Sequence, residues 1–210
     1  MKVFVLGGFL GSGKTSILLQ LAGYLRSLNP LAEKHSLVIV ENEIGDTGID
    51  DRIIQANGYL VEAMTSGCVC CTMIVELIEC LNQIKKHLNP QWVIIEATGM
   101  ANTTTVVRTI ERRVEGLQSV SGIVVADAQR YDDIVTLMPG FLRGQIANAD
   151  TILLNKIDLL SERERIEAEE KITEVKKSAL FFSISALSPI DQNIWRKVVE
   201  QNEQLTFSAM

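Results

Sequence analysis

Gly8-Phe9-Leu10-Gly11-Ser12-Gly13-Lys14-Thr15 decides the fold. It matches G-x-x-x-x-G-K-[ST], and its surroundings are those the pattern requires: the apolar run Lys2–Leu6 reads as a strand leading in, and Lys14–Ser27 reads as a helix leading out, with Ile17, Leu18, Leu21 and Leu25 on one face. Glycines let backbone N–H groups turn inward where a Cβ would clash, so the loop can wrap phosphate oxygens. The helix N-terminus adds favourable partial charge. In such a loop Lys14 reaches the β- and γ-phosphates and the Thr15 hydroxyl ligates Mg²⁺. The candidate nucleotide-binding residues are therefore Gly8, Gly11, Ser12, Gly13, Lys14, Thr15 and Ser16, with Lys14 also the first candidate catalytic residue.

Outward from this loop, short apolar runs alternate with helical patterns. Strands are expected at Lys2–Leu6, Ser36–Glu41, Trp92–Glu96, Ser121–Ala126, Thr151–Leu154 and Leu180–Ser183, with Tyr59–Ala63 a shorter addition. They are apolar on both faces, as in a parallel sheet covered by helices. Helices are expected at Lys14–Ser27, at Thr72–His87, and at Ser161–Lys177, where Ser161 and Glu164 form a capping box. The order predicts an α/β fold, a P-loop NTPase three-layer sandwich with a mostly parallel central sheet. In such sheets ligands sit at the carboxyl ends of the strands. No repeat, low-complexity run or Pro/Gly/Ser linker divides residues 1–210, which are read as one domain.

Bulk composition narrows the function classes. Hydrophobic residues make up 47% of 210, enough for a core without disulfide support. A net charge of −6 and no Lys/Arg run argue against a nucleic-acid surface. No secretory leader and no apolar run of spanning length is visible, so a cytoplasmic, reducing location with no membrane attachment is expected. In that setting the crowding of three of the four cysteines into Cys68-Val69-Cys70-Cys71 points to metal binding or redox chemistry rather than structural disulfides. Thiolates suit Zn²⁺ and similar ions, and the cluster lies just before a helix start, which favours the thiolate form. Three cysteines leave at least one coordination position for another ligand.

Two further motifs fall at strand ends. Glu96 closes the Trp92–Glu96 run and Gly99 follows, so a carboxylate can hold Mg²⁺ through water while a glycine N–H senses the γ-phosphate. Asn155-Lys156-Ile157-Asp158 is an N-K-x-D sequence directly after a strand. It resembles the base-recognition motif of GTPases, in which the carboxylate at the Asp158 position accepts from guanine N1–H and the exocyclic amine. Adenine offers no such donor pair. Ser185-Ala186-Leu187 resembles the further GTPase loop that backs the guanine.

Taken in order, the P-loop with Gly7–Ser16, Glu41 to Asp50, Ser66 to Cys71, Ile95 to Ala101, Val125-Ala126-Asp127 and Gln145 to Asp158 resemble P-loop GTPases of the CobW type (CobW/HypB/UreG-like), which are associated with metal handling and metallocofactor assembly. The resemblance implies that Asn42–Asp50 is switch I, that Cys68, Cys70 and Cys71 bind metal, and that Glu96–Gly99 is switch II. Glu43 and Asp46 become candidate carboxylates near the metal or Mg²⁺, Glu43 being counted with the metal ligands, while Asp127 braces a strand end. It further implies GTP and Mg²⁺ as ligands, Zn²⁺ or another transition metal (Co²⁺, Ni²⁺) at the cysteines, a client metalloprotein or cofactor-assembly protein, and a nucleotide-dependent homodimer.

The chain departs from that pattern in ending at Met210, as a short form without the C-terminal domain of many members, in having only His35 and His87, and in placing Asn102 where an acidic residue is usual in switch II. The expected function is a slow GTPase acting as metallochaperone or metallocofactor-assembly factor. The alternatives are a nucleotide-gated regulatory or metal-binding module, or activator of a corrinoid or other metalloenzyme, with incidental turnover, and a small-molecule kinase, against which the Asn155–Asp158 motif counts. Cys80, at helical spacing with Leu77, Leu81 and Ile84, reads as a small buried hydrophobe, and Trp92 and Trp195 read as core or partly buried aromatics.

Overall fold

The computed structural model describes residues 1–31, 36–41, 60–63 and 72–205. Among them, seven strands form one sheet: β1 (Lys2–Gly7), β2 (Leu37–Glu41), β3 (Leu60–Ala63), β4 (Trp92–Glu96), β5 (Ser119–Asp127), β6 (Thr151–Asn155) and β7 (Leu180–Ser183), in the order β3-β2-β4-β1-β5-β6-β7. Every pairing is parallel. The strand carrying the phosphate loop therefore runs at the centre, with a ladder on each side.

Side-chain alternation along the strands divides the core into two faces. Phe4, Leu6, Ile39, Ile94, Ile123, Val125 and Leu153 pack on one side against α1 (Lys14–Leu28) and a C-terminal helix, Gln192–Gln204, through Ile17, Leu18, Leu21, Trp195 and Val198. Val3, Val5, Val38, Val93 and Ile95 point the other way, towards α2 (Thr72–His87) and α3 (Thr103–Arg113). On that same face Val124, Ala126, Ile152 and Leu154 meet α4 (Tyr131–Leu137), α5 (Pro139–Ala147) and α6 (Glu162–Val175). The C-terminal helix is α7. The result is the helix–sheet–helix sandwich of P-loop NTPases.

Local chemistry explains most boundaries. The Ser161 hydroxyl accepts from the Glu164 N–H while the Glu164 carboxylate accepts from Ser161, so the predicted capping box starts α6. Asn202 on α7 is fully buried: its amide donates to the Val3 carbonyl (2.8 Å) and the Ser121 hydroxyl (2.7 Å) and accepts from the Ser119 hydroxyl (2.6 Å), locking that helix onto β1 and β5. Asp150, entering β6, accepts from the Gly122 N–H at 2.8 Å, and burial holds its carboxyl above the usual carboxylate range.

Trp92 and Trp195 are core residues and Cys80 packs partly buried against α2's apolar neighbours. No helix among the described residues is long and apolar enough to cross a membrane.

Candidate functional site

The carboxyl ends of the central strands set the site. Register places Leu6, Glu41 and Glu96 abreast on β1, β2 and β4, and Asp127 beside Asn155 on β5 and β6. Beyond β1 the chain turns through Gly8, Gly11 and Gly13, with φ of 143°, 77° and 95°. Gly13 joins the loop to α1. Its φ lies in the left-handed region, and a Cβ there would run into the Asn155 amide. Gly13 also caps α1 without any side-chain hydrogen bond, leaving the first-turn N–H groups of that helix for a ligand. Ser12, 1% exposed, has a hydroxyl with no hydrogen-bond partner, and Lys14 is only 7% exposed at the helix start. A glycine-rich loop leading to a helix start with no side-chain cap, an orphaned buried hydroxyl and a buried lysine together fit a chain of phosphates.

The two residues expected at Mg²⁺, Thr15 and Glu96, lie side by side. Thr15, in the first turn of α1, donates its hydroxyl to Glu96 at 3.1 Å. That distance suits two groups able to share a cation or its water shell, and Mg²⁺ with its preference for hydroxyl, carboxylate and water oxygens matches the donor set. After Glu96 the backbone stays against the phosphate loop: the Ala97 N–H donates to the Leu6 carbonyl (2.9 Å), and a Cβ on Gly99 would lie 2.9 Å from the Leu10 nitrogen. Gly99 is thus required by contact with the loop whose ligand it is expected to sense. Asn102 then caps α3, its side chain accepting from the Thr105 N–H at 3.1 Å. Asparagine is among the residues favoured at that position. Inside α3, the Thr103 hydroxyl donates to the buried Gln145 of α5 at 2.8 Å, joining this loop to the helix that precedes β6.

The N-K-x-D residues divide their roles. Asn155 is 2% exposed and acts as a tie: its amide donates to the Ser12 carbonyl (2.8 Å) and its oxygen accepts from the Ala186 N–H (2.9 Å). Lys156, in a left-handed conformation with φ 66°, donates to the buried Asp127 at 2.7 Å. Asp127 also accepts from the Gln129 and Arg130 N–H groups, so it braces the Lys156 side chain as well as its own strand end. Asp158 follows in a single 3-10 turn, Ile157–Leu159, with its side chain exposed. The Asp158 carboxylate is therefore open to solvent. Ser185, Ala186 and Leu187 lie after β7, and Leu187 is exposed. Phe9 of the phosphate loop is wedged between Phe141 (ring centroids 6.4 Å apart) and Arg130, whose guanidinium also donates to the Leu10 carbonyl at 3.4 Å.

Three residues escaped the sequence reading. Glu41, 4% exposed, ends β2 abreast of Glu96, and alternation puts both on the α1 face. Gln20 on α1 hydrogen-bonds the Ala186–Ile190 backbone. Gln145 is the third. Only Glu41 carried a readable signal, as a carboxylate at the end of an apolar run. The predicted metal ligands Cys68, Cys70, Cys71 and Glu43, together with Asp46, His35 and the whole Asn42–Asp50 segment, lie outside the described residues. Among the described residues no group of three His, Cys, Asp or Glu side chains could hold a metal ion.

The chain is similar to known proteins in sequence and fold. A family model described as the CobW/HypB/UreG nucleotide-binding domain matches residues 2–183. The zinc chaperone YjiA of Escherichia coli is 27% identical over 88% of this chain and 58% of its own length. The zinc-regulated GTPase metalloprotein activator 1 of Schizosaccharomyces pombe is 30% identical over 100% of this chain and 49% of its own. The chain thus spans about half the length of the curated relatives it matches. Among solved structures, HypB from Helicobacter pylori in complex with nickel superposes with a TM-score of 0.65 at 18% identity, covering 100% of this chain and 91% of that one, which supports the fold.

Proposed function

The chain belongs to the CobW/HypB/UreG nucleotide-binding family, and from that premise we propose that it binds and hydrolyses Mg²⁺–GTP and uses the nucleotide state to control a transition-metal site, as a metallochaperone or metallocofactor-assembly factor. The observation that carries the GTP reading is Asn155, whose one amide bonds both the phosphate loop at Ser12 and the Ala186 backbone. A single residue thereby sets the spacing between the triphosphate pocket and the base pocket. Gly8 to Ser16 cradle the phosphates, Lys14 neutralises the β/γ oxygens, and Asp158 accepts from the guanine edge over the Lys156 stem. Thr15 and Glu96 would hold Mg²⁺, which when bound offsets phosphate charge. Gly99 reports the γ-phosphate through its contact with Leu10. We assign no water-positioning side chain among the described residues, so turnover is expected to be slow.

Cys68, Cys70 and Cys71, with Glu43, are proposed to carry the metal as cargo. The names of the relatives, a zinc chaperone and a zinc-regulated metalloprotein activator, favour Zn²⁺ and a metalloprotein client. The segment bearing these residues leaves β3 at Ala63, abreast of Glu41 and hence of Glu96. Loss of the γ-phosphate at Gly99 and Glu96 therefore acts on the strand edge from which the cysteines depart.

The purified chain is expected to hydrolyse GTP in a Mg²⁺-dependent manner, with kcat/KM for ATP lower by at least about a hundredfold, because a guanine-reading carboxylate meets no donor pair on adenine. Equal or better turnover of ATP would overturn the GTP assignment.

A further inference from the structure

The loop from Ser185 to Ile190, between β7 and α7, contributes no backbone to the sheet, yet its peptide groups are held by two side-chain amides. Asn155 takes the Ala186 N–H. Gln20 takes three more: its Nε2 donates to the Ala186 carbonyl (3.1 Å) and to the Ser188 carbonyl (3.1 Å), and its Oε1 accepts from the Ile190 N–H (2.7 Å). The Ala186 residue is thus gripped through its N–H by Asn155 and through its carbonyl by Gln20, which fixes the orientation of the peptide groups on either side. Few side chains can do this. Two N–H donors and an acceptor on one short planar group belong to Gln and Asn alone, and Asn is one methylene shorter. The strut itself is rigid, because α1 buries Ile17, Leu18 and Leu21 beside Gln20 against the core.

We propose that Gln20 is a positioning residue for base selection, holding the Ser185–Ile190 backbone in the orientation that receives guanine and tying that loop to the helix that begins at Lys14. This rests on the guanine reading of Asn155–Asp158 and adds a determinant that lies on the phosphate-loop helix rather than in the base motifs. The triphosphate contacts lie at the N-terminus of α1, so they do not depend on Gln20. Loss of the amide should act on the base-dependent part of affinity only. Gln20→Glu keeps the shape, but turns an acceptor towards two carbonyl oxygens, so it should act more strongly than Gln20→Ala.

The test compares dissociation constants for GTP, ATP and inorganic tripolyphosphate, each with Mg²⁺, in the wild-type chain and in Gln20→Ala and Gln20→Glu, with melting temperatures recorded without nucleotide. The expected result is a loss of GTP affinity of about tenfold in Gln20→Ala and more in Gln20→Glu, while ATP and tripolyphosphate stay within about twofold, so the preference for GTP over ATP collapses. Loss of the same factor for all three ligands would reduce Gln20 to general support of α1 and overturn the proposal, as would an unchanged GTP:ATP ratio in both variants of a wild type that prefers GTP. A wild-type chain that binds GTP and ATP equally would instead defeat the guanine reading itself. Gln20→Glu, being nearly isosteric, keeps the comparison open if the alanine variant melts early.

Discussion

Replacing Lys14 with alanine should lower single-turnover GTP hydrolysis by at least about a hundredfold, the cost of removing one preorganised charge from a phosphoryl-transfer site. Lys14 sits at the first position of α1, 7% exposed, directly after a glycine that leaves the helix N-terminus uncapped. Its ammonium group is therefore held where it meets phosphate with little further ordering. The wild type should gain stability on adding Mg²⁺–GTP, and the variant should lose most of that gain. A thermal-shift series with and without nucleotide checks this together with turnover. A variant that hydrolyses GTP at the wild-type rate would remove Lys14 from the chemistry.

Asp158→Asn should change which base is chosen. Asp158 follows two pinned residues, Asn155 on the phosphate loop and Lys156 on Asp127, and its exposed carboxylate stands ready for a ligand edge. In the proposed guanine reading it would accept from both N1–H and the exocyclic amine. An asparagine keeps one acceptor but turns a donor towards that amine, which clashes two donors. Losing one charge-assisted bond and opposing another donor costs about 2–3 kcal/mol, or roughly a hundredfold in GTP affinity. Xanthine carries a carbonyl where guanine carries the amine, so the same asparagine should bind xanthosine triphosphate better than the wild type does. Competition binding with the two triphosphates reads both effects. Unchanged GTP affinity in Asp158→Asn would show that the base is read elsewhere.

How much of this was legible beforehand follows physical lines. The central strands and α1, α2 and α6 were readable because burial on both faces leaves apolar runs, and because a capping box or a steady 3.6 period marks a helix. Helices α3, α4, α5 and α7 were not read. Helix α3 opens Thr103-Thr104-Thr105-Val106-Val107, a β-branched run of weak helix propensity, and forms because Asn102 caps it and Val106 and Ile110 bury against the sheet. Helices α4 and α5 are short and meet at Met138-Pro139, where proline starts the second. At the site, Lys14, Thr15, Glu96 and Asn155 announced themselves by spacing. The Thr15–Glu96 and Asn155–Ser12 contacts then came from strand register, which brings residues distant in sequence to one edge. Gln20 and Gln145 had no such signal. Each is one amide on an amphipathic helix, and its partners are set only when the layers pack.

The claim that nucleotide state governs a metal site is tested most directly by measuring Zn²⁺ affinity of the chain with a non-hydrolysable GTP analogue, with GDP and without nucleotide, using a triple Cys68→Ser, Cys70→Ser, Cys71→Ser variant to identify binding at the cluster. The account predicts apparent dissociation constants that differ by about fivefold or more between the GTP-analogue and GDP states, and loss of that binding in the variant. Identical Zn²⁺ affinities in all three states would contradict it.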